Sequence, residues 1–274
     1  MIRRDIRLPD GARGWWLASQ VEHARISAQL ARHCNAPLAA AVRREVLAAI
    51  LHHDDGWAEW ESSPRIDAEH GRPIEFLELD AADAREVWTR SIASAAEHGP
   101  LAGRMVAGHF LRLLAFSESS RRDAAATAWR ADMNRRRADW LSQWQAADPA
   151  LHTCELADAA IEWLWTFDRA SLWLCCDAPA PGETGAGQSD FNPAGAGTPL
   201  EMHFSGAGAA VVANAAHVGG ADRAAAVAVP WRFDRDWIDV DAAGLLVPAA
   251  RYNDARTLLA AGRPHALRWR LTAP

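Results

Sequence analysis

Three stretches of this chain place apolar residues at helical spacing, and each stripe is interrupted by a histidine or an aspartate where a core residue should stand. Val42, Val46 and Ile50 form one stripe, and its next position is His53, followed by Asp54. Met105, Leu113 and Phe116 form a second, with His109 among them. Ile161, Leu164, Trp165, Leu172 and Cys175 form a third, and Asp168 lies on it. Spacings of three and four residues mark one face of an α-helix, so these segments must pack against one another through those faces. An ionised carboxylate on such a face costs several kcal/mol unless it is paired or bound to a metal. His23 is a fourth candidate, in the first turn of a helix opened by Ser19 with Glu22 three residues on, the spacing of a capping box. Singly, each of these residues has a bland reading. A histidine on an apolar face is usually a hydrogen-bonded core residue, Asp168 can pair with Arg25 or Arg112, and Asp54 can be an ordinary helix-end residue. The case for a metal site rests on the set.

The rest of the chain extends the helical pattern. The first helix runs to about His33, and a second covers Pro37 to Asp54 with Gly56 as its stop. Residues 57–79, with Pro64, Gly71 and Pro73, read as a loop. Further helices are expected over about 81–98, 100–117, 121–147 and 155–176. Residues 1–18 read as one or two short strands. Residues 178–200 are rich in Gly, Ala and Pro and read as a loop or linker. Beyond them come short β-like runs at 200–204, 209–213, 226–231, 245–247 and 267–271; in the last, Leu267, Trp269 and Leu271 share one face. The expected fold class is mainly α: a bundle of about six helices over residues 1–177, with a small antiparallel β appendage over 201–274 packed on it.

Composition removes several function classes. The sequence contains no lysine, which excludes Schiff-base chemistry and the phosphate-binding lysine of a P-loop. The net charge of -6 and the lack of a basic stripe argue against nucleic acid and anionic membranes as partners. The longest apolar runs are too short to span a bilayer. The N-terminus shows no apolar stretch after its charges, so a cytoplasmic location is the default expectation. The four cysteines, Cys34, Cys154, Cys175 and Cys176, form no Cys-x-x-Cys pair, which disfavours a four-cysteine zinc site and leaves free thiols as the expectation.

The ordered set His23, His53-Asp54 and Asp168, with the segment Phe167-Asp168-Arg169-Ala170-Ser171-Leu172, resembles the HD superfamily of metal-dependent phosphohydrolases over roughly residues 19–176. A closer resemblance is to the bacterial family called domain of unknown function 3891. It is carried by Gln20-Val21-Glu22-His23-Ala24-Arg25, His52-His53-Asp54-Asp55-Gly56-Trp57, Gly71-Arg72-Pro73 and Pro230-Trp231-Arg232-Phe233. The superfamily resemblance implies an HD-like helical bundle and a divalent transition metal, Mn, Fe, Co, Ni or Zn. Two-metal members carry two further histidines; His109 fits one of them, while His70 lies in a loop and His98 at a helix end. One ion is therefore favoured, with two as the alternative.

The expected metal ligands are His23, His53, Asp54, Asp168 and His109. Asp55 and Glu59, just after the doublet, are the candidate general acid or base. Gln20, Arg25, Trp57 and Arg72 are candidate substrate contacts, the arginines as bidentate phosphate donors. The leading expectation is hydrolysis of a small phosphorylated molecule, a nucleotide or similar, through a metal-activated water. The alternatives are an HD-type iron oxygenase and a non-catalytic binding or scaffold protein. The C-terminal part carries no chemical motif and reads as a lid, an oligomer contact such as that of a homodimer, or simple stabilisation.

Overall fold

The computed structural model describes residues 1–35, 38–116, 123–178, 224–227 and 233–272. The loop expected at 178–200 lies, after Ala178, outside the described residues, as do the strands expected at 200–204 and 209–213 and the end of the one at 226–231.

The chain opens with a hairpin of β1 (Ile2–Arg7) and β2 (Arg13–Ala18). It continues into α1 (Gln20–His33), α2 (Ala40–His52) and α3 (Trp57–Ser62), then a 3-10 turn at Phe76–Glu78. The long helices α4 (Ala81–Ala96), α5 (Pro100–Phe116), α6 (Ala124–Ala147) and α7 (Cys154–Cys176) follow. The C-terminal part supplies β3 (Ala224–Val227), β4 (Trp237–Pro248), α8 (Ala255–Ala261) and β5 (Arg263–Thr272). The molecule is mainly helical with one small sheet, the class the periodicity predicts.

Local chemistry explains where most helices start. Ser19 accepts a hydrogen bond from the Glu22 N–H at the head of α1, Asp80 does the same for Ala82 and Asp83 in α4, and Thr153 for Leu156 in α7. The reciprocal half of the capping box is replaced at α1. The Glu22 carboxylate instead pairs with Arg25 and accepts the Ala243 N–H at 2.7 Å, tying α1 to β4. Helix α5 begins with Pro100 and borrows its cap from α2, because Glu45 accepts the Leu101 N–H at 2.6 Å.

Two expectations about breakers fail for physical reasons. Gly56 does not stop the second helix. That helix ends at His52 with His53 as its cap, and Gly56 precedes α3 with an ordinary φ of -61°. Gly56 is required by closeness: a Cβ there would sit 2.1 Å from the Val87 carbonyl oxygen of α4. The stretch 57–79 is not all loop, since Trp57–Ser62 forms a helix too short to show a period. Helix α8, seven residues between two strands, escaped the sequence reading for the same reason.

The sheet order is β1-β2-β4-β5-β3. The first four strands are antiparallel, and β3 joins the edge parallel to β5. The sheet therefore draws on both ends of the chain. One face, with Ile2, Trp16, Ile238, Val240, Leu267, Trp269 and Leu271, joins the core that includes Ile26 and Leu30 of α1 and Leu174 and Cys175 of α7. The other face holds Trp15, Leu17 and Val247 beneath Tyr252 and Leu258. All four cysteines are free thiols, and burial pushes Cys175 up to about 12, so it packs as a small apolar group. Among the described residues, no helix is long and apolar enough to cross a membrane.

Candidate metal centre and cavity

Three elements converge and together deliver four polar side chains. His23 comes from the first turn of α1, His53 and Asp54 from the end of α2, and Asp168 from the middle of α7. All four are buried, with His23 and His53 at 0% exposure. One potential ligand atom from each lies within 4.8 Å of all the others. The Asp54 Oδ2 atom is 2.8 Å from His23 Nε2 and 3.4 Å from His53 Nε2, and Asp168 Oδ1 is 3.3 Å from His53 Nε2 and 3.7 Å from His23 Nε2. Ligands about 2.0–2.2 Å from one ion stand about 3–3.5 Å apart, so these separations suit a shared cation.

Hydrogen bonds behind the cluster set which nitrogen faces inward. His53 Nδ1 donates to the Ile50 carbonyl at 2.7 Å. The Ser171 hydroxyl donates to the Asp168 carbonyl at 2.9 Å, so it accepts from His23 Nδ1 at 2.7 Å. Ser27 completes this arrangement, 2.7 Å from Ser171. With Nδ1 of each ring taken up by these bonds, Nε2 of both faces the two carboxylates. Four acceptors facing one another need a cation or a proton between them. The charges respond to this. Burial would lower His53, but Asp54 and Asp168 reverse the sign and carry it up to about 9. Burial would raise the two carboxyls, but the surrounding histidines outweigh it, lowering Asp54 and pulling Asp168 down to about 2. The residues present, two imidazoles and two carboxylates, could hold a metal ion.

His109, from the middle of α5, stands beside the four rather than among them. Its ring centroid is 5.6 Å from that of His53. Burial pushes it down to about 4, so its imidazole is neutral, and its buried Nδ1 has no hydrogen-bond partner. It lines a cavity of ≈ 440 Å³ whose floor is formed by His23, Asp54 and Asp168.

The other expected site residues divide. Gln20 and Trp57 are buried and line the cavity; the Gln20 N–H is held by Glu61 at 2.9 Å. Asp55 turns away, with its Oδ2 taking the Ser94 hydroxyl at 2.6 Å and facing His52 Nδ1 at 2.8 Å. Glu59 is exposed and pairs with Arg90 at 2.9 Å. Arg25 is spent on Glu22 and the Asp241 carbonyl, as a strut between α1 and β4. Arg72 is spent on Glu78 at 2.5 Å. Within the short helix α3, Trp57 points inward while Glu59, two residues on, points to solvent.

The structure brings in residues that sequence reasoning passed over. Ser171 lies three residues after Asp168, on the same helical face, and that spacing was a usable signal. Arg169, Trp88, Phe110 and Trp165 also line the cavity, and nothing in their local sequence separates them from core or surface residues.

The model of one family, described as Protein of unknown function (DUF3891), matches residues 1–249. No curated protein and no solved structure matches the chain. The matched range includes all four residues of the cluster and ends before α8 and β5.

Proposed function

We propose, since this chain belongs to the DUF3891 family and that family's description assigns no reaction, that it is a metal-dependent phosphohydrolase of the HD type acting on a small phosphorylated molecule. One observation carries the reading: buried His23, His53, Asp54 and Asp168 converge within 4.8 Å at the floor of a cavity large enough for a small substrate. A Mn, Fe, Co, Ni or Zn ion held by these four would polarise a phosphoryl oxygen and make its bound water more acidic.

The chain's own residues supply the rest. Ser171 and the Ile50 carbonyl hold the two imidazoles in the tautomer that ligates. His109, neutral and with an unspent Nδ1, offers the substrate a hydrogen bond without adding charge. Trp57 and its apolar neighbours exclude bulk water. In the reaction the water oxygen forms a bond to phosphorus and the ester P–O bond breaks. The leaving oxygen takes the water's proton, giving an alcohol and inorganic phosphate.

The test is elemental analysis of protein reconstituted with each metal, beside a panel of phosphomonoesters assayed for phosphate release. A His53→Ala, Asp54→Ala double variant serves as control. Near-stoichiometric metal and phosphate release, both lost in the double variant, are expected. Wild-type protein that takes up none of the metals would overturn the reading.

A further inference from the structure

The walls of the cavity are far more apolar than a nucleotide or sugar phosphate requires. Trp57, Phe76, Trp88, Phe110, Leu113 and Trp165 surround the space above the cluster. Trp88 stacks on Phe110 with ring centroids 5.3 Å apart, giving a flat aromatic wall. At the rim stand Leu77 and Phe116, both lining the cavity yet 49% and 68% exposed. Large apolar side chains at that exposure, continuous with an apolar interior, mark an entry for apolar ligand.

Charge sets the other half of the specificity. Among the described residues, Arg169 is the one arginine that lines the cavity, and its buried Nε has no hydrogen-bond partner. The nearby Arg112 is already committed, bonded to Glu162 at 2.9 Å and lying over the Trp165 ring at 4.1 Å. The floor itself holds two carboxylates. A triphosphate brings more negative charge than one guanidinium and one divalent ion would match, whereas a single phosphate suits them.

We propose that the cavity takes a phosphomonoester with an apolar, preferably aromatic, organic part, whose phosphate is anchored by Arg169 and whose body lies against Trp57, Trp88 and Phe110. This rests on the hydrolase reading for the reaction, though not for the binding. The Arg169 guanidinium donates to phosphate oxygens while the ring displaces water from the aromatic walls.

The experiment uses the full chain in two forms. Metal-loaded protein is assayed with naphthyl phosphate, ribose phosphate and ATP, and metal-free protein is titrated with naphthol and with naphthyl phosphate by calorimetry. Expected is a kcat/KM for naphthyl phosphate at least about a hundredfold above that for ribose phosphate, reflecting burial of a bare ring. The Leu77→Ser, Phe116→Ser double variant, at exposed positions that do not threaten folding, should narrow that preference several-fold. Arg169→Gln should raise KM for naphthyl phosphate by about tenfold and leave naphthol binding unchanged. Equal turnover of ribose phosphate or ATP overturns the substrate class while the hydrolase stands. If no ester is hydrolysed, the reaction fails and the titration decides the cavity. Naphthol binding, with an added gain from the phosphate that Arg169→Gln abolishes, supports the inference, and no naphthol binding overturns it.

Discussion

At the scale of single residues, the cluster was legible because its members break a pattern. His53 and Asp168 stand where the stripes Val42-Val46-Ile50 and Ile161-Leu164-Leu172 call for core, and both are buried. Asp55, Glu59, Arg25 and Arg72 were singled out by nearness in sequence, and nearness does not say which way a side chain points. Ser94, Arg90 and Asp241, the partners of Asp55, Glu59 and Arg25, come from elsewhere in the chain, and Arg72 turns to Glu78 in the following 3-10 turn. Ser171 shows what a residue behind the cluster contributes. Its hydroxyl bridges His23 Nδ1 and the Asp168 carbonyl, so Ser171→Ala leaves the fold in place but frees the His23 ring. Metal affinity should fall by about 10- to 100-fold, read by competition against a chelator. An unchanged affinity would show that packing alone orients His23.

At the scale of elements, the long helices were readable and the short ones were not. Helices α4, α5 and α7 each repeat their apolar spacing over several turns, α6 is instead a long run rich in alanine and arginine, and Asp80 and Thr153 announce two of the starts. Helices α3 and α8 span six and seven residues, too short for a period to emerge from noise. The pairing of β2 with β4 joins residues more than 200 positions apart, and no local signal encodes such a partner. Gly56 is the joint on which the site hangs, since it follows the doublet and touches α4 through backbone that cannot yield. Gly56→Ala, with its new Cβ 2.1 Å from the Val87 carbonyl oxygen, should force α2 and α4 apart and cost about 1–3 kcal/mol, while weakening metal binding. Gly11→Ala is the control. Gly11 has a φ of 82° and open space around it, so the substitution should cost about 1 kcal/mol from backbone strain and leave metal affinity alone. Urea denaturation and chelator competition on both variants separate the outcomes. Equal losses of metal affinity in the two would remove the special role of the joint.

At the scale of the whole molecule, the cluster couples folding to pH, and the sign can be worked out. In the metal-free protein His53 is raised from 6.5 to about 9. The folded state therefore holds a proton there that the unfolded chain releases. That contribution is complete below pH 6.5 and is lost as the pH rises through 9, on the order of 3 kcal/mol at most. His109 acts in the opposite direction, because it is lowered to about 4. The unfolded chain gains its proton first, and stability falls as the pH drops from 6.5 toward 4. Asp168, held at about 2, adds a further loss once the pH falls below its unfolded value of 3.8 toward 2. These contributions place the stability maximum of the metal-free protein near pH 6.5. A metal ion needs the His53 Nε2 lone pair and so must displace the proton that the metal-free fold prefers. Between pH 6.5 and 9 its affinity should rise by about tenfold per pH unit. The loaded protein should then keep its melting temperature up to pH 9, where the metal-free protein has lost several degrees. Thermal melts from pH 5 to 9, with chelator and with excess metal, check both limbs. A melting temperature for the metal-free protein that stays level from 6.5 to 9 would mean that His53 holds no extra proton. The four acceptors would then be kept together by packing, with no need for a positive charge between them.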